Sequence, residues 1–438
     1  MARVAIIGAG VMGLAAAYHA AKSDHEVTVY EAGKVPGGMA APFDFGGLSI
    51  ERYDHVICKT DQAIFDLLAE LGIADQLRWT ATSTGYFFDN RLQDWGNPIA
   101  LLKFKGLSLV EKLRYGVMMI VAVKRRSAGR LENVSARAWI ERWCGKRAYE
   151  RLWRPLFDLK FHEYSDPVSA AWIWTRLKRI GTSRRSLMQE EFGYIEGGSV
   201  ILIKALAGAI ARFGGTIHLS KPVERVAVSD GRATGLIAGG VAHEYDAVIA
   251  TVAAPLIPAL VPEMPAEEKS RYAKIVNIGV ACLIFKLKKP VSPYLRVHVA
   301  DPAMGIPGFV EFSNLRPLSD TVVYVPYYMP VTHPNWALPD AVLLDQAFSY
   351  LKRVNPGLAD SDRIDARVSR LSHAQPVCPP GFAASIPPVQ TSIKGLQIAD
   401  TCFYYPEDRS VSEGARFGKL MAGSIAASIE GERGLAGG

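Results

Sequence analysis

Three glycines carry the first recognisable chemistry of this chain. Gly8, Gly10 and Gly13 fall at GxGxxG spacing between an apolar run, Val4 to Ile7, and an alanine-rich stretch that reads as a helix. At that spacing the first glycine permits a tight turn, the second lets backbone amides approach a pyrophosphate, and the third brings the helix close to the strand. The phosphates then face a helix N-terminus, where unpaired N–H groups and the helix dipole favour anions. A second strand, HEVTVYE, ends in Glu31, whose carboxylate is placed to accept hydrogen bonds from ribose hydroxyls and to repel a ribose phosphate. The glycine triplet alone also describes a tight turn with no ligand; strand, helix, second strand and acid together describe a dinucleotide site.

Two further stretches are built to meet the same ligand. Gly37 and Gly38, in GKVPGGMAAPF, let a loop press against it, where the alternative is a plain glycine-rich hairpin. Near the C-terminus, GLQIADTCFYYPEDRSVSEGARFG reads as a strand delivering Asp400, a loop with Tyr404, Tyr405 and Arg409, and a helix capped by Ser410 or Ser412 and bearing Gly414 and Gly418. Small residues at that helix start suit a phosphate or a planar group.

The elements that position these residues are spread along 438 residues, 49% of them hydrophobic, enough for two or three packed domains. The style of the opening stretch returns at residues 193–255. There Gly197, Gly198 and Ser199 start a helix to Arg212, SDGR turns a hairpin, and YDAVIATVAAP is a buried strand ending in small residues. Residues 256–384 alternate short strands with proline-rich loops and one helix near 340–353. The expected fold class is α/β: a Rossmann-like nucleotide domain made of 1–57, 193–255 and 385–438, with a discontinuous α+β substrate domain made of 58–192 and 256–384. The segment 58–192 is expected to be a mainly helical insertion.

The net charge of +7 is concentrated in that insertion, where residues 101–185 hold 20 Lys and Arg against 7 Asp and Glu, leaving the remainder acidic. Five of the eight tryptophans lie there too, between 139 and 174. Interleaved bases and aromatics suit nucleic acid, but no RNA or DNA motif accompanies them, so no nucleic-acid partner is expected. A solvated helical face around a Trp-rich core, an anionic lipid surface and a phosphate-bearing substrate remain. Residues 101–126, LLKFKGLSLVEKLRYGVMMIVAVKRR, favour lipid: apolar residues lie between cations, as in helices at a bilayer interface, with no run near the ~20 residues a span needs. The five cysteines are scattered without metal spacing, so buried reduced thiols and no metal are expected. The first strand begins within a few residues of Met1, which gives the expectation of a cytoplasmic protein, peripheral on the membrane's cytoplasmic face.

The three ligand-facing stretches resemble the FAD-dependent superfamily of amine oxidases, phytoene desaturases and protoporphyrinogen oxidases. The likeness covers about 1–57, 193–255 and 385–430, and a more distant one points to UDP-galactopyranose mutase. The resemblance implies FAD as cofactor, held by Gly8, Gly10, Gly13, Glu31, Gly37, Gly38, Met39, Val223, Asp400, Ser410 and Val411. Val223 in PVERV would border the adenine, and Asp400 matches the acid near the ribityl-pyrophosphate region. Two departures stand out: Met39 sits where many relatives place a basic residue, and Ala399 replaces the usual glycine before the acid.

The resemblance further implies hydride or electron transfer between an apolar substrate, isoprenoid or lipid-linked, and the flavin, with oxygen or a quinone as acceptor because only one GxGxxG is present. A non-redox enzyme of the sugar-nucleotide mutase type and an FAD-binding protein with a structural role are the alternatives. Candidate catalytic residues are His55, which follows the double glycine, Tyr404, placed with Tyr405 to wall the ring, and Arg409, placed to support negative charge or bind a phosphate. Each also has an ordinary reading, as a core histidine, a packed tyrosine and a surface ion pair. Arg316, Tyr328 and the pair His162 and Glu163 complete the polar residues that stand out.

Overall fold

The computed structural model describes residues 1–301 and 303–436. The opening apolar run forms the strand Arg3–Ile7, whose last four residues are buried, as expected of a strand covered on both faces. It is the middle of a five-stranded sheet in the order Thr216–His218, Glu26–Tyr30, Arg3–Ile7, Ala247–Ala250 and Leu396–Ile398, parallel throughout. The winding reverses at the central strand, and in such sheets the ligand crevice lies beyond the carboxyl ends of the strands at that point.

The helix Val11–Lys22 (α1) is buried on almost every side, which its run of alanines allows. It lies between the sheet and the C-terminal helix Val411–Ala436. Two glycines make that layering possible. A Cβ at Gly13 would lie 1.9 Å from the Gly8 carbonyl oxygen, and one at Gly418 would lie 2.5 Å from the Met12 carbonyl oxygen.

A seven-stranded sheet forms the second layer system, in the order Arg363–Pro376, Asn277–Leu287, Thr321–Met329, Gly308–Glu311, Arg296–Val299, Thr84–Phe88 and Arg91–Trp95. Its long strand Asn277–Leu287 shows the period of two in full. Ala281, Leu283, Phe285 and Leu287 join a core with the helix Asp340–Val354, while Val280, Cys282 and Ile284 join the core on the other face.

The helices between residues 98 and 182 include Pro98–Lys103 (α2), Leu109–Lys124 (α3), Arg154–Phe161 (α4) and Ala170–Thr182 (α5). A full capping box starts α3: Ser108 accepts from the Glu111 amide, and Glu111 accepts from the Ser108 amide at 2.7 Å. Only Met118 and Ala122 of α3 are fully buried; on α2 and α3, Leu102, Leu109, Leu113, Val117 and Ile120 are exposed. The helix α5 is fastened to α3 by Trp174, which donates to the Ala122 carbonyl at 2.8 Å, and by Lys178, which donates to the Arg125 carbonyl.

The segment 58–192 is less uniformly helical than its composition suggests. Leu77–Thr82, Thr84–Phe88 and Arg91–Trp95 are strands, and Gln189–Ile195 is another. The hairpin Thr84–Trp95 turns on Asp89 and Asn90, both at positive φ (53° and 54°), the two-residue turn whose twist matches its strands. The helix from Ser199 to Arg212 and the hairpin of Val223–Ser229 with Arg232–Ala238 lie where the sequence puts them. All five cysteines are buried and free. Among the described residues no helix is long and apolar enough to cross a membrane.

Candidate active site

One cavity of about 650 Å³ runs from the carboxyl end of the parallel sheet to the face of the seven-stranded sheet. Its near end is mostly backbone. Gly8 follows the central strand at φ +101°, and its amide donates to the Tyr30 carbonyl at 2.8 Å, so the turn is tied to the neighbouring strand. Gly37 donates to the Ala9 carbonyl at 2.7 Å, and Gly38 comes so near the turn that a Cβ there would sit 3.0 Å from the Gly10 Cα. Gly10 itself has no atom within 4 Å of its Cβ position and lines the cavity.

Glu31 accepts from the Ala9 amide at 2.8 Å and the Gly33 amide at 2.6 Å, which fixes its carboxylate at the cavity wall with lone pairs to spare. Asp400 accepts from the Ala254 amide at 2.6 Å and the Cys402 amide at 2.8 Å, joining the ends of two parallel strands; burial raises its pKa against those bonds. Ser410 caps the C-terminal helix by accepting from the Glu413 amide at 3.0 Å. The starts of α1 and of that helix both face the cavity, through Val11 and Met12 and through Val411 and Gly414. Two helix N-termini, a turn with an open Cα and a fixed carboxylate fit a dinucleotide, with phosphates at the amides and a ribose at Glu31. Met39 also lines this end. Gly13 instead packs α1 against the turn, and Val223 begins an antiparallel strand and is not among the residues lining the cavity.

The middle of the cavity brings together Tyr53, Asp54, His55 and Tyr404. His55 Nδ1 is buried without a hydrogen-bond partner, and burial lowers the ring's pKa against the attraction of Asp54 and Glu51. His55, Glu51 and Arg316 also border a second cavity of about 40 Å³. Tyr404 is buried against Phe417, ring centroids 5.2 Å apart. Tyr405 points elsewhere, its hydroxyl bonding Ser169 and Glu132 at 2.7 and 2.8 Å.

The far end is made of side chains. Val280, Cys282, Pro326 and Tyr328 come from the seven-stranded sheet, Lys160 from α4, and Arg176 and Arg179 from α5. Arg409 donates to the Tyr328 hydroxyl and the Ala374 carbonyl, so the surface ion pair is not its role. Arg179 makes a two-pronged pair with Asp61 at 3.0 and 2.6 Å, and Arg176 pairs with Asp408. Burial opposes ionisation of Asp408, yet Arg176, Lys160, Arg409 and Arg179 hold its carboxyl well below the usual range. His162 lies behind this wall, bonded through Nε2 to the Tyr328 carbonyl at 2.8 Å. Among the described residues no group of three His, Cys, Asp or Glu side chains is arranged to hold a metal ion.

Lys160, Arg176, Arg179, Arg296 and Asp408 do not stand out in the sequence as site residues. The signal that finds two of them is helical spacing: Trp172, Arg176 and Arg179 fall at i, i+4 and i+7 on α5 and share a face.

The sequence profile described as flavin-containing amine oxidoreductase matches residues 12–392. The 15-cis-phytoene desaturase of Synechococcus elongatus is 27% identical over 248 residues, 52% of this chain and 51% of that protein. The coproporphyrinogen III oxidase of Staphylococcus aureus is 28% identical over 165 residues, 35% of each. The matched stretch thus spans about half the length of these curated relatives or less. In three dimensions the chain resembles a protein assigned as a protoporphyrinogen oxidase from Exiguobacterium sp. 255-15, with a TM-score of 0.75 at 20% identity, covering 98% of this chain and 99% of that one. Putrescine oxidase bound to putrescine gives 0.72 at 17% identity, covering 97% and 99%. The chain belongs to the flavin-containing amine oxidoreductase family and is an FAD-dependent oxidoreductase.

Proposed function

We propose that this enzyme oxidises an apolar substrate, isoprenoid or lipid-linked, by hydride or electron transfer to FAD, with oxygen or a quinone as acceptor. The observation that carries the reading is one continuous cavity that joins the glycine turn to the chamber before the seven-stranded sheet. In this reading 1–57, 193–255 and 385–438 are one Rossmann-type FAD-binding domain, and 58–192 and 256–384 are the substrate domain. The flavin, when bound, supplies the redox chemistry. The chain's part is placement: Val280, Cys282 and Tyr328 floor the chamber, Tyr404 and His55 border the junction, and Arg409 carries a fixed positive charge towards it. Pockets of this kind lie where two domains meet.

The exposed face of α2 and α3 supports a peripheral position on an anionic bilayer. Its apolar side chains are flanked by exposed Lys103, Lys105, Lys124 and Arg126, the charge arrangement an acidic lipid surface attracts. Flotation with vesicles containing phosphatidylglycerol tests this. Retention at low salt is expected, with loss on changing those four residues to Glu; equal retention of the variant overturns it.

Anaerobic photoreduction followed by oxygen or a quinone tests the redox reading, and a reduced flavin that neither acceptor reoxidises sinks it. The cations of the far end favour one second reading, a non-redox transformation of a sugar-nucleotide diphosphate, which would turn over without net consumption of electrons.

A further inference from the structure

Three basic side chains at the far end of the cavity gather around two aromatic rings. The Lys160 Nζ lies 4.8 Å from the Tyr328 ring centroid and 5.1 Å from that of Trp172. The Arg409 guanidinium carbon is 5.4 Å from the same Tyr328 ring, and that of Arg176 is 4.9 Å from the same Trp172 ring. Each ring thus has two basic side chains against it, and the hydroxyl of Tyr328 is fixed by Arg409. Arg176 has Asp408 as its partner, but among the described residues neither Lys160 nor Arg409 has a carboxylate within ion-pair distance. Among the described residues Lys160 has no hydrogen-bond partner. Three basic groups therefore draw on the one carboxylate of Asp408, and a ligand that brings further negative charge favours the charged form of all three.

We infer that Lys160, Arg176 and Arg409 form an oxyanion subsite, which receives a carboxylate or phosphate carried by the substrate. The inference rests on the reading of this cavity as the substrate chamber of an FAD enzyme. It narrows that reading: the substrate is an amphipath with an anionic end, and a cationic amine is repelled.

Lys160 gives the subsite a signature. The groups facing it are Arg176 from α5, Asp408 and Arg409 from the loop before the C-terminal helix, Cys378 beyond the strand Arg363–Pro376, and the rings of Trp172 and Tyr328. Burial, with Arg176 and Arg409 adding to it, pushes the ammonium's pKa well below the usual lysine value against the pull of Asp408. An arriving oxyanion favours the charged form, so binding takes up a proton.

The test is calorimetric titration of the FAD-loaded protein with inorganic pyrophosphate, with succinate and with putrescine, each in two buffers of different ionisation enthalpy. At least one of the two anions is expected to bind with proton uptake, their relative affinity telling phosphate from carboxylate, and putrescine is not. Lys160→Met should keep its flavin, weaken anion binding at least about tenfold and abolish the uptake. Lys160→Arg, permanently charged, should restore binding without uptake. Failure of both anions to bind, uptake that persists in Lys160→Met, or tighter binding of putrescine than of either anion overturns the subsite. Loss of FAD from Lys160→Met would also overturn it, because it would assign Lys160 to the cofactor. These readouts use oxidised flavin, so they fail independently of the redox reading, which the photoreduction experiment addresses.

Discussion

At the near end of the cavity the wall is backbone: Gly8, Gly10, Gly37 and Gly38 offer amides and bare Cα atoms, and Glu31 is fixed by the amides of Ala9 and Gly33. At the far end the wall is side chain, with Lys160, Arg176, Tyr328 and Arg409 arriving from four separate segments. A wall of backbone is specified by a few residues at fixed spacing, because only glycine tolerates the close approaches and the positive φ. A wall of side chains is specified by which helices and strands pack together, and no short stretch holds that information. A cofactor end of this kind can therefore be specified independently of the packing that shapes the far end.

The largest effect expected in breaking this contrast comes from two neighbouring glycines. Gly10→Asp meets no protein atom within 4 Å of its Cβ, so the chain should fold, but its carboxylate faces the pyrophosphate and FAD affinity should fall about a hundredfold or more. Gly13→Ala puts a methyl 1.9 Å from the Gly8 carbonyl oxygen and should lose fold and flavin together. Flavin absorbance beside a circular-dichroism melt separates the two, and a fully yellow Gly10→Asp protein would show that the cradle is misassigned.

At the far end, Asp61→Ala should have the opposite pattern. It removes the acceptor of Arg179 and of the Cys58 amide, and leaving a largely buried charge unpaired costs about 3–5 kcal/mol. Stability should drop while flavin stays bound at low temperature; a melting temperature equal to the parent's would mean the pair is better solvated than its geometry implies.

The smallest effect is a pH dependence in the sheet that floors the chamber. Glu311 is wholly buried and accepts from the amides of Val291 and Ser292 at 3.2 and 2.8 Å, yet burial pushes its pKa up to about 7. The folded state thus holds the proton more tightly than the unfolded chain, whose glutamates titrate near 4.3. Its contribution is fully present below the unfolded value and is lost as pH rises through about 7, on the order of 3 kcal/mol in all. Denaturant midpoints from pH 4 to 8 should carry that slope, and Glu311→Gln should flatten it over the same range; an unchanged slope assigns the dependence to other groups.

How much of this was readable in advance follows the same division. The glycine turn, Glu31, the Ser199 helix, the hairpin at SDGR and the capped helix after Ser410 could be located because each depends on neighbours in sequence. The strands between 77 and 95 were hidden by the basic, aromatic composition downstream, although Asp89 and Asn90 marked their turn. Tyr405 looked equivalent to Tyr404, and only the packing of α5 shows that it turns towards Ser169. Lys160 and Asp408 meet across 248 residues, and no periodicity reports such a pairing.

The central strand has a consequence for how the protein is made. Arg3–Ile7 can pair with Glu26–Tyr30 almost as soon as both have left the ribosome, but its other edge waits for Ala247–Ala250, and the last strand of the sheet for Leu396–Ile398. At ordinary translation speeds of ~5–20 residues per second, that open edge persists for roughly ten to fifty seconds. The strand that reads first in the sequence gains its second neighbour only once Ala247–Ala250 has been made, and the flavin cradle gains Asp400 later still. Until then a nascent apolar strand must be kept from pairing with the wrong partner.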